Sequence, residues 1–215
     1  MAHKNNYIVL DCETGGLSAD KNPITQFACI VLDPKTLKEL HRFETFVQGY
    51  ADLKHEAEAL RFTGIKMQDI ESGITVNELV TKLREISDEF KVGRMPHTRP
   101  LIVGHNVPFD ITFIKKAFEI VSKHKYRKTY PEDVFFDTMQ LSRLRWVDEF
   151  TPSDNLLNLK TCCDRADIEL VNAHSAMGDV EATVQLFKYF IQSMKSGPNN
   201  QQGPTKTKTR QFFDL

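Results

Sequence analysis

Ile8-Val9-Leu10-Asp11-Cys12-Glu13-Thr14-Gly15-Gly16-Leu17 runs from an apolar, β-branched start into two carboxylates and a glycine pair. Residues two apart in a strand share a face, so Asp11 and Glu13 project together from the end of a first strand. Two carboxylates side by side repel unless a cation sits between them. Ligation by carboxylates alone selects hard cations such as Mg²⁺ or Mn²⁺. Taken alone, the same pair also reads as an Asp capping a turn beside an exposed Glu. Cys12 reads as a small strand residue facing the core. Gly15-Gly16 lets the backbone turn sharply and lets a substrate approach closely.

Two distant segments have related chemistry. Leu101-Ile102-Val103-Gly104-His105-Asn106-Val107-Pro108-Phe109-Asp110 is a short apolar strand running into a helix. Pro108 suits the first helical position because its φ is fixed. Asp110, near that helix start, is by itself an acid favoured by the dipole. His174-Ser175-Ala176-Met177-Gly178-Asp179 leads into a last helix. Ala176 and Ala182 flank Asp179 by one turn and let this helix pack close to a sheet. His174 precedes the helix on a loop. A neutral imidazole can take a proton from water near neutral pH, as Lys or Arg cannot.

The set Asp11, Glu13, Asp110 and Asp179, with His174 five residues before the last, resembles the DEDDh 3′→5′ exonuclease family. That family includes the proofreading exonuclease subunits of replicative DNA polymerases. The resemblance covers residues 7–191, with the motifs in family order. In relatives the second segment reads Gly-His-Asn-x-x-Phe-Asp, matched here by Gly104, His105, Asn106, Phe109 and Asp110. The third reads His-x-x-x-x-Asp, matched by His174 and Asp179. A sister subfamily has tyrosine where Ser175 stands, so the match is to the histidine class.

The resemblance implies an α/β fold of RNase H-like type: a mixed five-stranded sheet flanked by helices, its first three strands antiparallel. It implies two divalent cations, Mg²⁺ or Mn²⁺, held by Asp11, Glu13, Asp110 and Asp179, with Asp11 bridging and His174 as general base. Thr14 and Leu17 are the implied contacts of the 3′-terminal nucleotide, hydroxyl to sugar and leucine against the base. Gly15 stands where many relatives have a second threonine, which leaves the finer terminal contacts open. Phe109 reads either as touching the penultimate base, since aromatic faces stack on bases, or as a core aromatic. Phe62 and Thr63 read either as lining the pocket or as a helix end before a turn. His105, Asn106, Asp137 and the segment 157–160 read as structural.

Composition bounds the rest. The chain of 215 residues is 40% hydrophobic and 27% charged, with a net charge of −1. That length suits one large domain plus a tail. Near-neutral charge excludes a general polyanion binder and suits an enzyme holding a few terminal nucleotides. Basic residues cluster at Lys115-Lys116, at residues 123–128 and at residues 206–210, as a solvated face or a modest backbone contact. The four cysteines, Cys12, Cys29, Cys162 and Cys163, form no C-x-x-C pair and read as reduced thiols of a cytoplasmic protein. The polar start carries no signal peptide, and no apolar run reaches bilayer length, so no membrane partner is expected.

The hydrophobic pattern predicts strands at 6–10, 24–32, 37–47, 101–103 and 134–136. Asp33-Pro34-Lys35-Thr36 forms a turn in which Pro supplies φ and Asp bonds the backbone ahead. Helical spacing takes over between residues 54 and 90, where Leu79, Leu83 and Ile86 mark a buried face. Phe109, Phe113, Ala117 and Ile120 mark the inner face of the helix after Pro108. Further helices are predicted at 138–146, 156–164 and 175–194. Residues 1–195 then form the exonuclease-like domain. Residues 196–215 form a flexible linker ending in Arg210-Gln211-Phe212-Phe213-Asp214-Leu215, which loosely resembles peptides that bind sliding clamps. The function implied is metal-dependent 3′→5′ hydrolysis of single-stranded or frayed DNA ends to nucleoside 5′-monophosphates, in proofreading or DNA processing. Trimming of RNA ends is the alternative. Docking to a clamp or DNA polymerase would run through Gln211 to Leu215. A non-catalytic adaptor is the rival from another class, and it would be favoured by a missing motif carboxylate.

Overall fold

The computed structural model describes residues 4–122, 126–131, 134–149, 157–171 and 175–195. His174, the segment 196–215 with its C-terminal peptide, and part of the basic cluster 123–128 lie outside the described residues.

The chain opens with β1 (Tyr7–Thr14), β2 (Ile24–Leu32) and β3 (Glu39–Phe46). Three helices follow: α1 (Ala57–Thr63), α2 (Met67–Glu71) and α3 (Val76–Glu89). Then come β4 (Leu101–Gly104), α4 (Pro108–Ser122), α5 (Tyr126–Thr129), β5 (Phe135–Asp137), α6 (Thr138–Arg145), α7 (Leu159–Arg165) and α8 (Ala176–Lys195). The strands form one sheet in the order β3-β2-β1-β4-β5. The pairs β1–β2 and β2–β3 are antiparallel, whereas β1–β4 and β4–β5 are parallel. This is the mixed, helix-flanked sheet expected.

The two faces of β1 explain where the helices sit. Ile8, Leu10 and Cys12 join a core with Leu79, Leu83 and Ile86 of α3 and with Phe113, Ile114 and Ala117 of α4. Val9 faces the other way, into a cluster with Ala28, Ile30, Val103 and, from α8, Ala176, Val180 and Phe187. Every residue of β2 is buried, as a strand covered on both faces must be. The turn before β3 forms as expected: Asp33 Oδ1 accepts the amides of Lys35 at 3.0 Å and Thr36 at 2.7 Å.

One expectation needs correction and one is refined. The helical stretch between 54 and 90 divides into three helices, the first ending at Thr63 before a turn. Gly64, at φ 71°, ends α1 in the left-handed region. Gly73 then passes so close to β3 that a Cβ there would meet Phe46 O at 2.3 Å, and Ile74 bridges to Val47. In α4, Phe113 and Ala117 are buried but Ile120 is exposed. At about 100° per residue the buried stripe is centred on Ile114, Ala117 and Phe118. Phe109 and Ile120 fall on its flank.

Candidate active site

The site forms where β1 extends past its pairing with β4 while still paired with β2. Asp11 and Glu13 alternate with buried Cys12, so both carboxylates stand on the α8 side. Asp179 lies in the first turn of α8, among Ala176, Val180 and Ala182, all buried. The small alanines let this helix approach the sheet closely. As a result the carboxylate oxygens of Asp11, Glu13 and Asp179 lie within 4.8 Å of one another.

Asp110 arrives from the opposite face, in the first turn of α4. It is buried, and its Oδ1 accepts the Cys12 amide at 2.9 Å. One oxygen is thus committed to the backbone between Asp11 and Glu13. Asp110 is therefore not one of the three mutually close carboxylates, although its charge acts on Asp11.

Electrostatics makes the cluster costly. Burial, then the neighbouring charges of Asp110, Glu13 and Asp179, hold the Asp11 carboxyl well above the usual range. Burial and the nearby Asp179 push Glu13 to about 7. Burial pushes Asp110 to about 8, against the opposing pull of the Cys12 amide. Among the described residues no cationic side chain pairs with Asp11, Glu13 or Asp110. An all-oxygen set with surplus negative charge fits a hard divalent cation.

The other sequence-derived residues surround this cluster. Thr14 is buried and its hydroxyl donates to Gly16 O at 2.7 Å, which leaves its oxygen lone pairs able to accept. Leu17 is 86% exposed and Phe62 69% exposed. Phe109 is half-buried, its ring 4.9 Å from that of Phe113. The start of α1 is tied to the glycine loop, because Glu56 N–H donates to Gly15 O at 2.6 Å. A Cβ at Gly15 would meet His55 Nδ1 at 2.9 Å and Pro23 Cδ at 3.0 Å, so the loop packs too tightly for a threonine. A cleft of about 470 Å³ opens between this loop and α4, lined by Leu17, Asp20, Thr112, Lys115 and Lys116 among others. Lys116 pairs there with Asp20 at 2.8 Å.

His105 has the structural role expected. Its Nε2 lies 2.7 Å from Leu157 O and its Nδ1 2.9 Å from Thr138 Oγ1. Asn106 takes φ 61°, and its amide donates to Asp137 Oδ1 at 2.9 Å. Asp137 Oδ1 also accepts Met139 N–H and so caps α6. Sequence reading missed Gln26, a buried amide inside the largely apolar β2, and Asn22, whose side chain reaches Lys54 O and Glu56 Oε1. The available signal for Gln26 was its polarity within that strand.

Comparisons with known proteins agree with this geometry. The chain is 31% identical over 180 residues to the PolC-type DNA polymerase III of Bacillus cereus, covering 84% of this chain but 11% of that protein. It is 27% identical over 197 residues to ribonuclease T of Vibrio vulnificus, covering 88% of this chain and 85% of that one. The chain thus spans about a ninth of the PolC-type relatives it matches. The structure superimposes on E. coli exonuclease I in complex with a dT13 oligonucleotide with a TM-score of 0.69 at 21% identity, over 86% of this chain and 40% of that chain. A family model described as Exonuclease (RNase_T) matches residues 8–187, and the chain belongs to this family of hydrolytic 3′→5′ exonucleases, in keeping with its DEDDh motifs.

Proposed function

We propose that the protein is a metal-dependent 3′→5′ exonuclease acting on single-stranded or frayed DNA ends and releasing nucleoside 5′-monophosphates. The observation that carries this reading is the set of Asp11, Glu13 and Asp179 carboxylates within 4.8 Å of one another. Asp11, Glu13 and Asp179 would hold the cations, Mg²⁺ or Mn²⁺, with Asp110 in support through its oxygen not bonded to Cys12. The chemistry divalent cations supply in such a site is a lowered water pKa and charge neutralisation at the leaving 3′ oxygen.

The remaining steps fall to the chain's own groups. His174 takes the proton from the attacking water. Thr14, whose hydroxyl hydrogen is given to Gly16 O, accepts from the terminal sugar. Leu17 and Phe62 present apolar faces to the terminal base, and Phe109 to the penultimate one. Lys115 and Lys116, in the cleft beside Leu17, sit where a strand leaving the site would pass. Binding of single-stranded DNA by exonuclease I and the likeness to PolC-type polymerases favour DNA and a proofreading or processing role. The likeness to ribonuclease T keeps RNA-end trimming as the second reading. The peptide Gln211 to Leu215 is proposed to dock on a sliding clamp or DNA polymerase, tethering the enzyme near a 3′ end. All four cysteines are free and buried, which suits a cytoplasmic setting, and among the described residues no helix is long and apolar enough to cross a membrane.

With Mg²⁺ or Mn²⁺, DNA and RNA oligomers of one sequence should both reveal the activity, with faster mononucleotide release from DNA. Asp11→Ala and Asp179→Ala should fall to background with an unchanged circular dichroism spectrum. Near-normal activity in either variant would contradict the assignment, and faster RNA cleavage would favour the second reading.

His174→Ala should lose roughly 10²–10⁴-fold in rate, the usual contribution of a general base. The acid limb of its pH–rate profile should weaken while divalent-cation affinity persists. A profile unchanged from wild type would remove the base role.

Deleting Gln211 to Leu215 should leave cleavage of short free oligonucleotides unaltered and reduce activity on primer–template only when clamp or polymerase is present. Equal loss on both substrates would indicate a tail that supports the catalytic domain instead.

A further inference from the structure

Gln26 stands opposite Glu13 in the antiparallel ladder, so the two side chains share the face that α8 covers. It is only 6% exposed, and a buried amide must satisfy both of its ends. Its Oε1 accepts the Ala176 amide at 3.1 Å. Its Nε2 donates to Glu44 Oε1 on β3 at 3.0 Å. A backbone N–H can only donate and a carboxylate oxygen accepts, so one orientation of the amide satisfies both partners.

The Ala176 amide is the first of α8, and helix-start amides have no partner within their own helix. The rest of the first turn closes on Ser175: Gly178 N–H donates to its Oγ at 3.2 Å and Asp179 N–H to its carbonyl at 3.0 Å. Farther along, α8 is held by Val180, Val184 and Phe187 against the sheet. Apolar packing is non-directional and fixes separation better than orientation. The Gln26 bond is a directional contact at the helix start, five residues before the Arg42–Glu181 ion pair. It joins that start to the strand paired with the one carrying Asp11 and Glu13. Asp179 lies in the same turn, three residues after Ala176.

We infer that Gln26, oriented by Glu44, is a positioning residue that fixes the first turn of α8 and so holds the Asp179 carboxylate beside Asp11 and Glu13. This rests on the exonuclease reading above. Gln26 touches neither substrate nor the reacting atoms. Its effect runs through the first turn of α8.

Gln26→Met keeps the volume and removes both hydrogen bonds. Hydrogen exchange of amides 176–179 reads the anchor, and kcat and KM on a short DNA oligomer read its consequence. Gln26→Met should accelerate exchange in that turn about tenfold or more and lower kcat roughly 10–100-fold with KM within about twofold, as expected for misplacement of a reacting group. If Gln26→Met does not fold, Glu44→Ala, on the exposed edge strand, should give the same pattern at smaller size. Unchanged exchange or unchanged kcat would each overturn the inference. A wild type without nuclease activity would remove the functional reading instead, and exchange would still decide whether Gln26 anchors the helix.

Discussion

Four carboxylates converge on the end of one strand, and the fold holds them there against their mutual repulsion. Three have oxygens within 4.8 Å of one another, and the fourth, Asp110, bonds the backbone between Asp11 and Glu13. A carboxyl moved from its ordinary range to about 7, as Glu13 is, costs the ionised folded state roughly 3 kcal/mol. That is a substantial part of the 5–15 kcal/mol or so by which domains are stable. The arrangement persists because each carboxylate is carried by an element whose position is set by burial elsewhere. β1 is packed on both faces, α8 is seated by Val180, Val184 and Phe187, and α4 by Ile114, Ala117 and Phe118.

Each element also has a directional contact near the site. Asp110 holds the Cys12 amide, Gln26 holds the first amide of α8, and Asp137 holds the Asn106 amide just before α4. The apolar core sets distances to within a side chain's width, and these bonds set orientation. Such division is what positioned catalysis needs, because small displacements of reacting groups are expensive in rate. The glycine loop follows the same logic. His55 and Pro23 fill the space that a side chain at Gly15 would need, so that the loop closes on the start of α1.

Much of this could be read from the sequence. Alternation placed Asp11 and Glu13 on one face, the alanines around Asp179 announced close helix packing, and Pro108 marked the start of α4. Four features escaped it for physical reasons. The break between α2 and α3 depends on Gly73 approaching Phe46, a tertiary contact without a local pattern. The exposure of Ile120 depends on how α4 is rotated against its neighbours, which periodicity leaves free within one flank of the stripe. Gln26 was invisible as a site residue because its partners are 18 and 150 residues away. The commitment of Asp110 to a backbone amide was likewise a long-range fact, although its place opposite Asp11 followed from the motif.

The central claim is that the carboxylates are held in repulsion that divalent cations relieve. In the folded state Glu13 and Asp110 keep protons up to about 7 and about 8, whereas ordinary values are 4.5 and 3.8. Between those limits the folded protein binds more protons than the unfolded chain, so its stability falls as pH rises. Thermal unfolding of the metal-free protein from about pH 5 to pH 8 measures this directly, with and without saturating Mg²⁺ or Mn²⁺. The account predicts a melting temperature that falls with pH in the absence of metal, and one that is raised and nearly level in its presence. A melting temperature indifferent to both pH and divalent cations across that window would contradict it.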